Sequence, residues 1–317
     1  MISATLIAPP EPAHGFRHEA FMYAGDSEFL EGTVAFIEGG LEAGEPVLVV
    51  EPAAKLDMLR DALGPSVDEV HFADMAAVGR NPARIIPAWE EFVRKYPDRR
   101  LRGIGEPIGP QRGPDELDEC HLHESLLNVA FDGGRPWWLL CPYDVTALPP
   151  EVVEEARRTH PFVHDGNGQR PSDDYRPVDV GAPFDRPLSD PPGQPVEMPF
   201  AARSLHDVRG VVSRLANRAG LGPEETAYFV LAVNEVAANS VRHGGGGGIL
   251  RIWDQGDSLT CEIRDSGHIG EPLAGRRPPG LEDENGRGLW LANQVCDLVQ
   301  VHSSVAGTVV RLHMRLL

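Results

Sequence analysis

The sequence feature that most constrains this chain is the stretch at residues 231–248, LAVNEVAANSVRHGGGGG. Pro223 suits the first turn of a helix, and good helix formers follow it, so the pattern predicts one long helix. Glu235, Asn239 and His243 recur every four residues and share one stripe of that helix. A carboxylate and a carboxamide one turn apart need polar partners that an apolar core does not supply. The stripe therefore faces either solvent or a polar site.

Three later segments place polar groups at the ends of apolar patterns. Alternation over Ser258–Asp265 leaves Asp265 at the end of an apolar row, where its carboxylate can accept from the amino group of a heterocycle. The glycines of the stretch at 286–289 open a predicted helix, whose first N–H groups favour an anion. Thr308 heads the apolar face of a predicted strand. These segments favour the polar-site interpretation of the helical stripe.

The order of these motifs, E-x-x-x-N, D-x-G, G-x-G-L and G-T, resembles the GHKL (Bergerat) ATP-binding fold. Histidine kinases, gyrase-type ATPases, heat-shock chaperone ATPases and anti-sigma-factor serine kinases share that fold. The texts NEVAANSVRHG and GRGLWLANQVCDLVQVHSS, within residues 195–317, are most similar to the anti-sigma-factor serine/threonine kinase branch. The resemblance implies an α/β sandwich, with helices on one face of a mixed sheet and the nucleotide between the two layers.

The resemblance also implies the cofactors ATP and Mg²⁺ and a role for each matching position. Glu235 would orient the hydroxyl proton of an attacking serine on a partner protein, and Asn239 would hold Mg²⁺. Asp265 would accept from the adenine amino group. The other nucleotide-binding positions that it implies are His243, Gly267, Gly286, Arg287, Gly288, Leu289 and Thr308.

The first half of the chain follows a different pattern, in which short apolar runs alternate with helical segments. Such alternation predicts a mainly parallel, doubly wound sheet with helices on both faces. No G-x-x-x-x-G-K-[ST] occurs there, so we assign no nucleotide hydrolysis to this half. This half resembles the RecA-like sensory domain of methanogen and methylotroph regulators (MEDS), and the resemblance lies in the segments HEAFMYAG, GEPI, HLHESLLNVAF and LLCPYD. That resemblance implies that a small ligand or a protein is sensed by this domain.

Ligands of doubly wound sheets bind at the carboxyl ends of the strands, and several reactive side chains are predicted at or near those ends. The spacing of Cys120, His123 and Glu124 on one helix leaves a metal site open beside the alternative of an ordinary structural or solvated set. The candidate sensory residues are His18, Glu106, Cys120, His123, Glu124, Cys141 and Tyr143.

Composition shifts divide the chain into segments. Residues 1–15 are predicted to form a flexible arm, 16–164 the sensory domain and 196–317 the ATPase and anti-sigma kinase domain. The segment at 165–195 is rich in Pro, Asp and Gly, which predicts an extended linker. The loop at 272–285 is predicted to be a lid over the nucleotide site.

The 317 residues carry a formal net charge of −19, which repels phosphate backbones and argues against direct nucleic-acid binding. The four cysteines show no C-x-x-C pattern, which is typical of reduced thiols and predicts a cytoplasmic protein. No apolar run approaches the length of a membrane span, so no membrane association is expected.

Three functions stay open at this stage. The first is a serine/threonine kinase that phosphorylates an anti-sigma-factor antagonist of the STAS type, with a sigma factor as a further partner. The second is an ATP-binding switch without phosphoryl transfer. The third is a sensor histidine kinase, because His123-Glu124 resembles a phosphoacceptor box. The sequence leaves open whether the chain forms a homodimer.

Overall fold

A computed structural model describes residues 15–166, 168–280 and 286–316 of the chain. The predicted arm at 1–15 therefore lies almost wholly outside the described residues, as do positions 281–285 of the predicted lid.

Residue contacts divide the chain into two compact units. One holds residues up to Val78 together with Trp89–Val178. The other holds Gly79–Ala88 together with the residues from Asp179 onward. Each unit contains one β-sheet, and the two sheets have opposite strand arrangements.

The first sheet is mainly parallel, as predicted. Its strands are β1 (Phe16–Tyr23), β2 (Val47–Glu51), β3 (Val70–Asp74), β4 (Leu101–Gly105), β5 (Trp137–Asp144), β6 (Phe162–Asp165) and β7 (Gly168–Pro171). They lie in the order β3-β2-β4-β5-β1-β6-β7, and every pairing is parallel except that of β6 with β7. The connecting helices are α1 (Gly25–Glu42), α2 (Ala53–Leu63), α3 (Met75–Val78), α4 (Ile85–Lys95), α5 (Pro114–Ala130) and α6 (Pro150–Thr159). Strands β2 and β5 are almost continuously apolar because parallel strands are buried on both faces.

The start of the predicted linker is part of this sheet. Residues 168–171 form β7, which pairs antiparallel with β6. The Asp165 carboxylate accepts from Arg157 at 3.3 Å and from Arg170 at 3.1 Å. The segment lacks the alternation that predicts a strand, so its structure depends on backbone pairing and these ion pairs rather than on an apolar face.

The second sheet is antiparallel at every pairing, which corrects the expected mixed sheet. Its strands are β8 (Val196–Ala201), β9 (Gly247–Asp254), β10 (Ser258–Asp265), β11 (Leu298–Ser304) and β12 (Gly307–Arg315), in the order β11-β12-β10-β9-β8. The accompanying helices are α7 (Leu205–Ala219), α8 (Pro223–His243) and α9 (Arg287–Val295). Two- or three-residue turns join β9 to β10 and β11 to β12, and such turns permit only antiparallel pairing.

Helices α7, α8 and α9 pack on one face of this sheet. Phe229 and Val233 of α8 are fully buried and share a core with Ile263 of β10 and Leu312 of β12. This arrangement confirms the predicted α/β sandwich. The long helix predicted from residue 223 forms as expected, with its apolar side toward the sheet.

The second part of the predicted linker contacts the C-terminal sheet. The Ser303 N–H of β11 donates to the carbonyl of Phe184 at 2.7 Å, so this segment covers part of an edge strand. Arg311 donates to the carbonyl of Ser189 at 2.6 Å and to the Glu262 carboxylate at 2.7 Å. Phe184 is only 3 % exposed. Chain beyond Asp179 is therefore part of the C-terminal unit rather than a free tether.

We expect Phe184→Ala to lower the free energy of unfolding by about 3 kcal/mol, because it removes a buried ring and leaves a cavity. Urea unfolding of the full chain, followed by circular dichroism, measures the change. Val180→Ala, at a position that is 54 % exposed, is the matched control and should unfold like the wild type. Equal unfolding curves for Phe184→Ala and the control would contradict a packed linker.

Candidate functional site

The carboxylate of Asp265 is held from two sides at the end of β10. The Ser240 hydroxyl of α8 donates to its Oδ2 at 2.5 Å, and the Gly267 N–H donates to its Oδ1 at 2.7 Å. Each oxygen keeps a further lone pair, and the residue is half-buried. The carboxylate is thus oriented and still able to accept from a ligand. Sequence reasoning missed this role of Ser240.

Two glycines allow the backbone to approach this carboxylate. A Cβ at Gly244 would lie 2.4 Å from Asp265 Cγ, and a Cβ at Gly267 would lie 2.9 Å from the carbonyl oxygen of His243. Ser266 N–H donates to the Gly244 carbonyl at 3.2 Å. The end of α8 and the turn after β10 are therefore in direct main-chain contact. The His243 side chain itself is exposed.

Strand register places Thr308 beside this group. Thr308 of β12 is the direct partner of Asp265 of β10. Its hydroxyl donates to the Gly267 carbonyl at 3.0 Å and lies 2.9 Å from the Ser303 hydroxyl. Asp265, which ends one apolar row of the sequence, thus lies beside Thr308, which begins another, at one end of the sheet.

The other half of the predicted site lies along α8 and the start of α9. Glu235 and Asn239 are one turn apart and half-buried. A Cβ at Gly288 would lie 2.7 Å from Asn239 Nδ2 and 3.3 Å from Glu235 Cβ, so only glycine lets the first turn of α9 come this near. Gly286 caps that helix with a φ of 88°, a left-handed conformation that also favours glycine. The adjacent Arg287 is exposed.

The geometry fits a nucleotide at two points. Asp265 offers an oriented acceptor, and the glycine-lined start of α9 offers main-chain N–H groups beside the carboxamide of Asn239. Helix α8 connects the two, since Ser240 binds Asp265 and the preceding Asn239 reaches Gly288. Leu289 is buried in the core and anchors α9. The structure therefore groups the predicted residues around α8.

In the N-terminal unit, three of the predicted sensory residues meet. His18 of β1, Glu124 of α5 and Cys141 of β5 form one buried cluster, and His160, just after α6, completes it. Sequence reasoning missed His160, which follows a helix with no motif around it. Tyr143 lies next to the cluster, with its ring centroid 5.5 Å from that of His160.

The other two residues of α5 do not join that cluster. The Cys120 thiol donates to the carbonyl of Pro107 at 3.6 Å, and burial raises the pKa of this thiol to about 12. His123 is 1 % exposed. Of the two alternatives left open for Cys120, His123 and Glu124, the structure favours the structural set, because among the described residues the group that could hold a metal includes Glu124 but neither Cys120 nor His123.

Glu106 belongs to a second polar group, at the carboxyl ends of the strands. Lys55 donates to the Glu106 carboxylate and to the Tyr23 hydroxyl. Burial raises the pKa of Glu106, against the opposing effect of Lys55. Burial also raises the pKa of Glu51 well above its usual range, and the charge of Glu106 adds to that rise. One lysine thus faces two buried carboxyl groups.

Two family models match the chain. Residues 17–161 match the methanogen/methylotroph, DcmR sensory domain, named MEDS, and residues 198–314 match the histidine kinase-like ATPase domain. The chain thus carries a MEDS sensory domain followed by a histidine kinase-like ATPase domain.

Solved structures similar to this chain include the RsbU and RsbW domains of Rv1364c from Mycobacterium tuberculosis, at 20% identity and a TM-score of 0.31. That match covers 39% of this chain and 33% of the other, so the chain spans about a third of that structure. Histidine kinase AdeS from Acinetobacter baumannii is 14% identical with a TM-score of 0.22, covering 38% of this chain and 68% of that one. Comparison with curated proteins found no match to this sequence.

Within the described ranges, no helix combines the length and the apolar character that crossing a bilayer requires.

We expect Glu51→Gln to stabilise the protein increasingly as the pH rises. The pKa of Glu51 is higher in the fold than its ordinary value of 4.5, so the folded chain keeps a proton that the unfolded chain loses. Wild type therefore loses stability above that value, and the uncharged variant escapes this loss. The gain in unfolding free energy over wild type should grow as the pH rises above 4.5, which urea titrations at a series of pH values measure. Exposed Glu42→Gln is the control, and parallel pH profiles for wild type and Glu51→Gln would contradict a raised pKa of Glu51.

We expect Asp265→Asn to weaken ATP binding about 10- to 100-fold, because a charged acceptor is replaced by an amide that also presents a donor. Isothermal titration calorimetry of the full chain with Mg²⁺ and ATP measures the Kd. Asp257→Asn, an exposed position at the other end of the same hairpin, should bind like the wild type. An unchanged Kd for Asp265→Asn would remove this carboxylate from the site.

Proposed function

We propose that this protein is an ATP-dependent serine/threonine kinase of the anti-sigma-factor type, which phosphorylates an anti-sigma-factor antagonist under the control of its MEDS domain. The observation that carries the proposal is the pairing of Glu235 with Asn239 against the start of α9. A Cβ at Gly288 would contact the Asn239 carboxamide and the Cβ of Glu235, so these two residues and the first turn of α9 come together at one place.

Nucleotide recognition is assigned to the residues around Asp265. The oriented Asp265 carboxylate accepts from the adenine amino group, and Thr308 supports the Gly267 turn beside it. The first N–H groups of α9, from Gly286 to Leu289, bind phosphate oxygens, with Arg287 as a charge partner. Asn239 holds Mg²⁺ through its carboxamide oxygen. His243, on the same stripe of α8, is the outermost of the proposed contacts.

Phosphoryl transfer is assigned to Glu235. Bound Mg²⁺-ATP supplies the γ-phosphoryl group. Glu235 accepts the hydroxyl proton of the incoming serine or threonine, so that its oxygen can bond to phosphorus as the bond to ADP breaks. Half-burial suits this role, since it leaves the carboxylate accessible to a partner protein.

The proposed partner is an antagonist of the STAS type, and a sigma factor is a further partner. Support for both is the likeness of the motifs around Glu235 and Gly288 to the anti-sigma kinase branch. A histidine kinase acting through His123 is disfavoured, because a side chain that is 1 % exposed on α5 is inaccessible to a phosphoryl donor. An ATP switch without transfer would not need a carboxylate at position 235.

Glu235→Gln should keep ATP affinity within about twofold of wild type and lower phosphoryl transfer at least about 100-fold, because the amide cannot accept a proton. The full chain, tagged and expressed in its native host, is incubated with γ-labelled ATP together with its co-purified proteins. Acid-stable label on a serine or threonine of a co-purified protein is the expected result. Glu224→Gln, exposed in the first turn of the same helix, is the control.

Three outcomes would overturn this proposal. Acid-labile label on the chain itself would indicate a histidine kinase. ATP binding with no label on any protein would indicate a switch. Transfer that persists in Glu235→Gln would remove Glu235 from the mechanism.

A further inference from the structure

Four potential metal ligands converge inside the N-terminal unit, far apart in sequence and all buried. His18, Glu124, Cys141 and His160 are between 0 and 2 % exposed. They come from β1, α5, β5 and the residue after α6, and one ligand atom of each lies within 4.8 Å of all the others. Elements from the whole length of this unit therefore meet at one point.

The distances between these atoms are short and similar. Glu124 Oε2 lies 3.0 Å from His18 Nε2 and 3.4 Å from His160 Nε2. Cys141 Sγ lies 3.4 Å from His18 Nε2 and 3.8 Å from Glu124 Oε2. Zinc bonds of about 2.0–2.3 Å in a tetrahedron place neighbouring ligand atoms about 3.3–3.6 Å apart. Four of the six distances thus lie between 3.0 and 3.8 Å and the other two within 4.8 Å, which is close to the spacing that a tetrahedral zinc site requires.

The imidazole of His18 turns a lone pair toward the centre. Asn128 Nδ2 donates to the carbonyl of Thr159 at 2.8 Å, which orients the amide so that its Oδ1 faces His18 Nδ1 at 3.1 Å. An amide oxygen can only accept, so Nδ1 carries a proton, and in the neutral imidazole Nε2 then presents its lone pair to the cluster. Such an outer hydrogen bond is what orients histidine ligands of metals.

His160 has the same arrangement. Its Nδ1 lies 2.8 Å from the carbonyl oxygen of Ala156, which can only accept, so the proton is again on Nδ1. Its Nε2 is buried and, among the described residues, has no hydrogen-bond partner. A buried nitrogen lone pair that faces a carboxylate at 3.4 Å is a costly arrangement unless something positive lies between them.

The Glu124 carboxylate is the acidic member of this group, and it is fully buried. Its Oε2 faces the two histidines, and its Oε1 has no hydrogen-bond partner among the described residues. A buried carboxylate with so few partners is costly unless a positive charge lies beside it.

We propose that His18, Glu124, Cys141 and His160 bind one divalent transition-metal ion, with Zn²⁺ as the metal of this site. Nitrogen and sulfur ligands exclude Mg²⁺ and Ca²⁺, which take oxygen ligands, and favour zinc. Binding releases the Cys141 thiol proton to solvent, so that one Zn²⁺, one thiolate and one carboxylate sum to zero charge. The ion thereby removes the uncompensated charge of the pocket.

All four positions of this site are filled by protein, which is the pattern of a structural rather than a catalytic zinc. The ligands connect β1 and β5, which are neighbours in the sheet, to α5 and to the end of α6. We therefore expect the metal to stabilise the sensory domain, independently of the nucleotide site in the other unit.

Metal content of the full chain tests the proposal directly. The protein, purified without a metal-affinity tag, should contain about one zinc per chain when measured by inductively coupled plasma mass spectrometry. Removal of zinc with a chelator should lower the melting temperature. Refilling with Co²⁺ should produce a thiolate-to-cobalt charge-transfer band in the near ultraviolet and the visible bands of tetrahedral cobalt.

Variants then assign the ligands. Cys141→Ser should lose the charge-transfer band, and His160→Gln should lower the metal content at least about tenfold. Cys120→Ser is the matched control, because this buried thiol on α5 donates to Pro107 instead and the variant should keep one metal per chain. Circular dichroism shows whether each variant folds. The cobalt spectrum of the wild-type chain tests the site even if a variant fails to fold.

Two results would overturn the proposal. One is a folded wild-type chain that contains no stoichiometric transition metal and gives no charge-transfer band on titration with Co²⁺. The other is a band that persists in folded Cys141→Ser. The first result would leave the cluster as a buried hydrogen-bonded group that holds a proton. Neither result bears on the proposed kinase activity, which is read from label on a partner.

Discussion

The hydrogen bond between Ser240 and Asp265 is the contact on which the C-terminal site depends. It joins the last turn of α8 to the end of β10, and strand register then places Thr308 next to the same carboxylate. Once α8 is held there, the preceding Asn239 points to the start of α9 at Gly288. The core beneath is apolar, so these few polar contacts, rather than the packing, determine which side chains face one another.

Contacts between buried polar side chains also organise the N-terminal unit, where less of the sheet faces solvent. A parallel sheet buries both of its faces, and any polar side chain on its strands must find a partner inside the fold. Two such groups form: Lys55 pairs with Glu106 at the strand ends, and His18 meets Glu124 beside β1. In the first group a lysine supplies the positive charge. In the second no lysine or arginine contacts the carboxylate among the interactions described, and the proposed metal ion would supply that charge.

Much of the architecture could be predicted from local patterns. Pro223 and the helix formers that follow it predicted α8, and alternation before Asp265 predicted β10, because both signals are local in the sequence. Two residues of the proposed nucleotide site were singled out for a related reason. Asp265 ends an apolar row and Thr308 begins one, and such a break in an apolar pattern can be recognised from the sequence alone.

The chain's own sequence determined its two-domain order, its helices and strands, and the polar residues that end apolar rows, since all of these follow from local spacing. Only the tertiary structure decided the antiparallel pairing of the second sheet, the packing of Phe184, and the partners of Ser240 and His160. His160 shows the reason. A side chain becomes a ligand when the crossovers of the sheet bring it to His18 and Glu124, and that distance in space has no signature in the spacing along the chain.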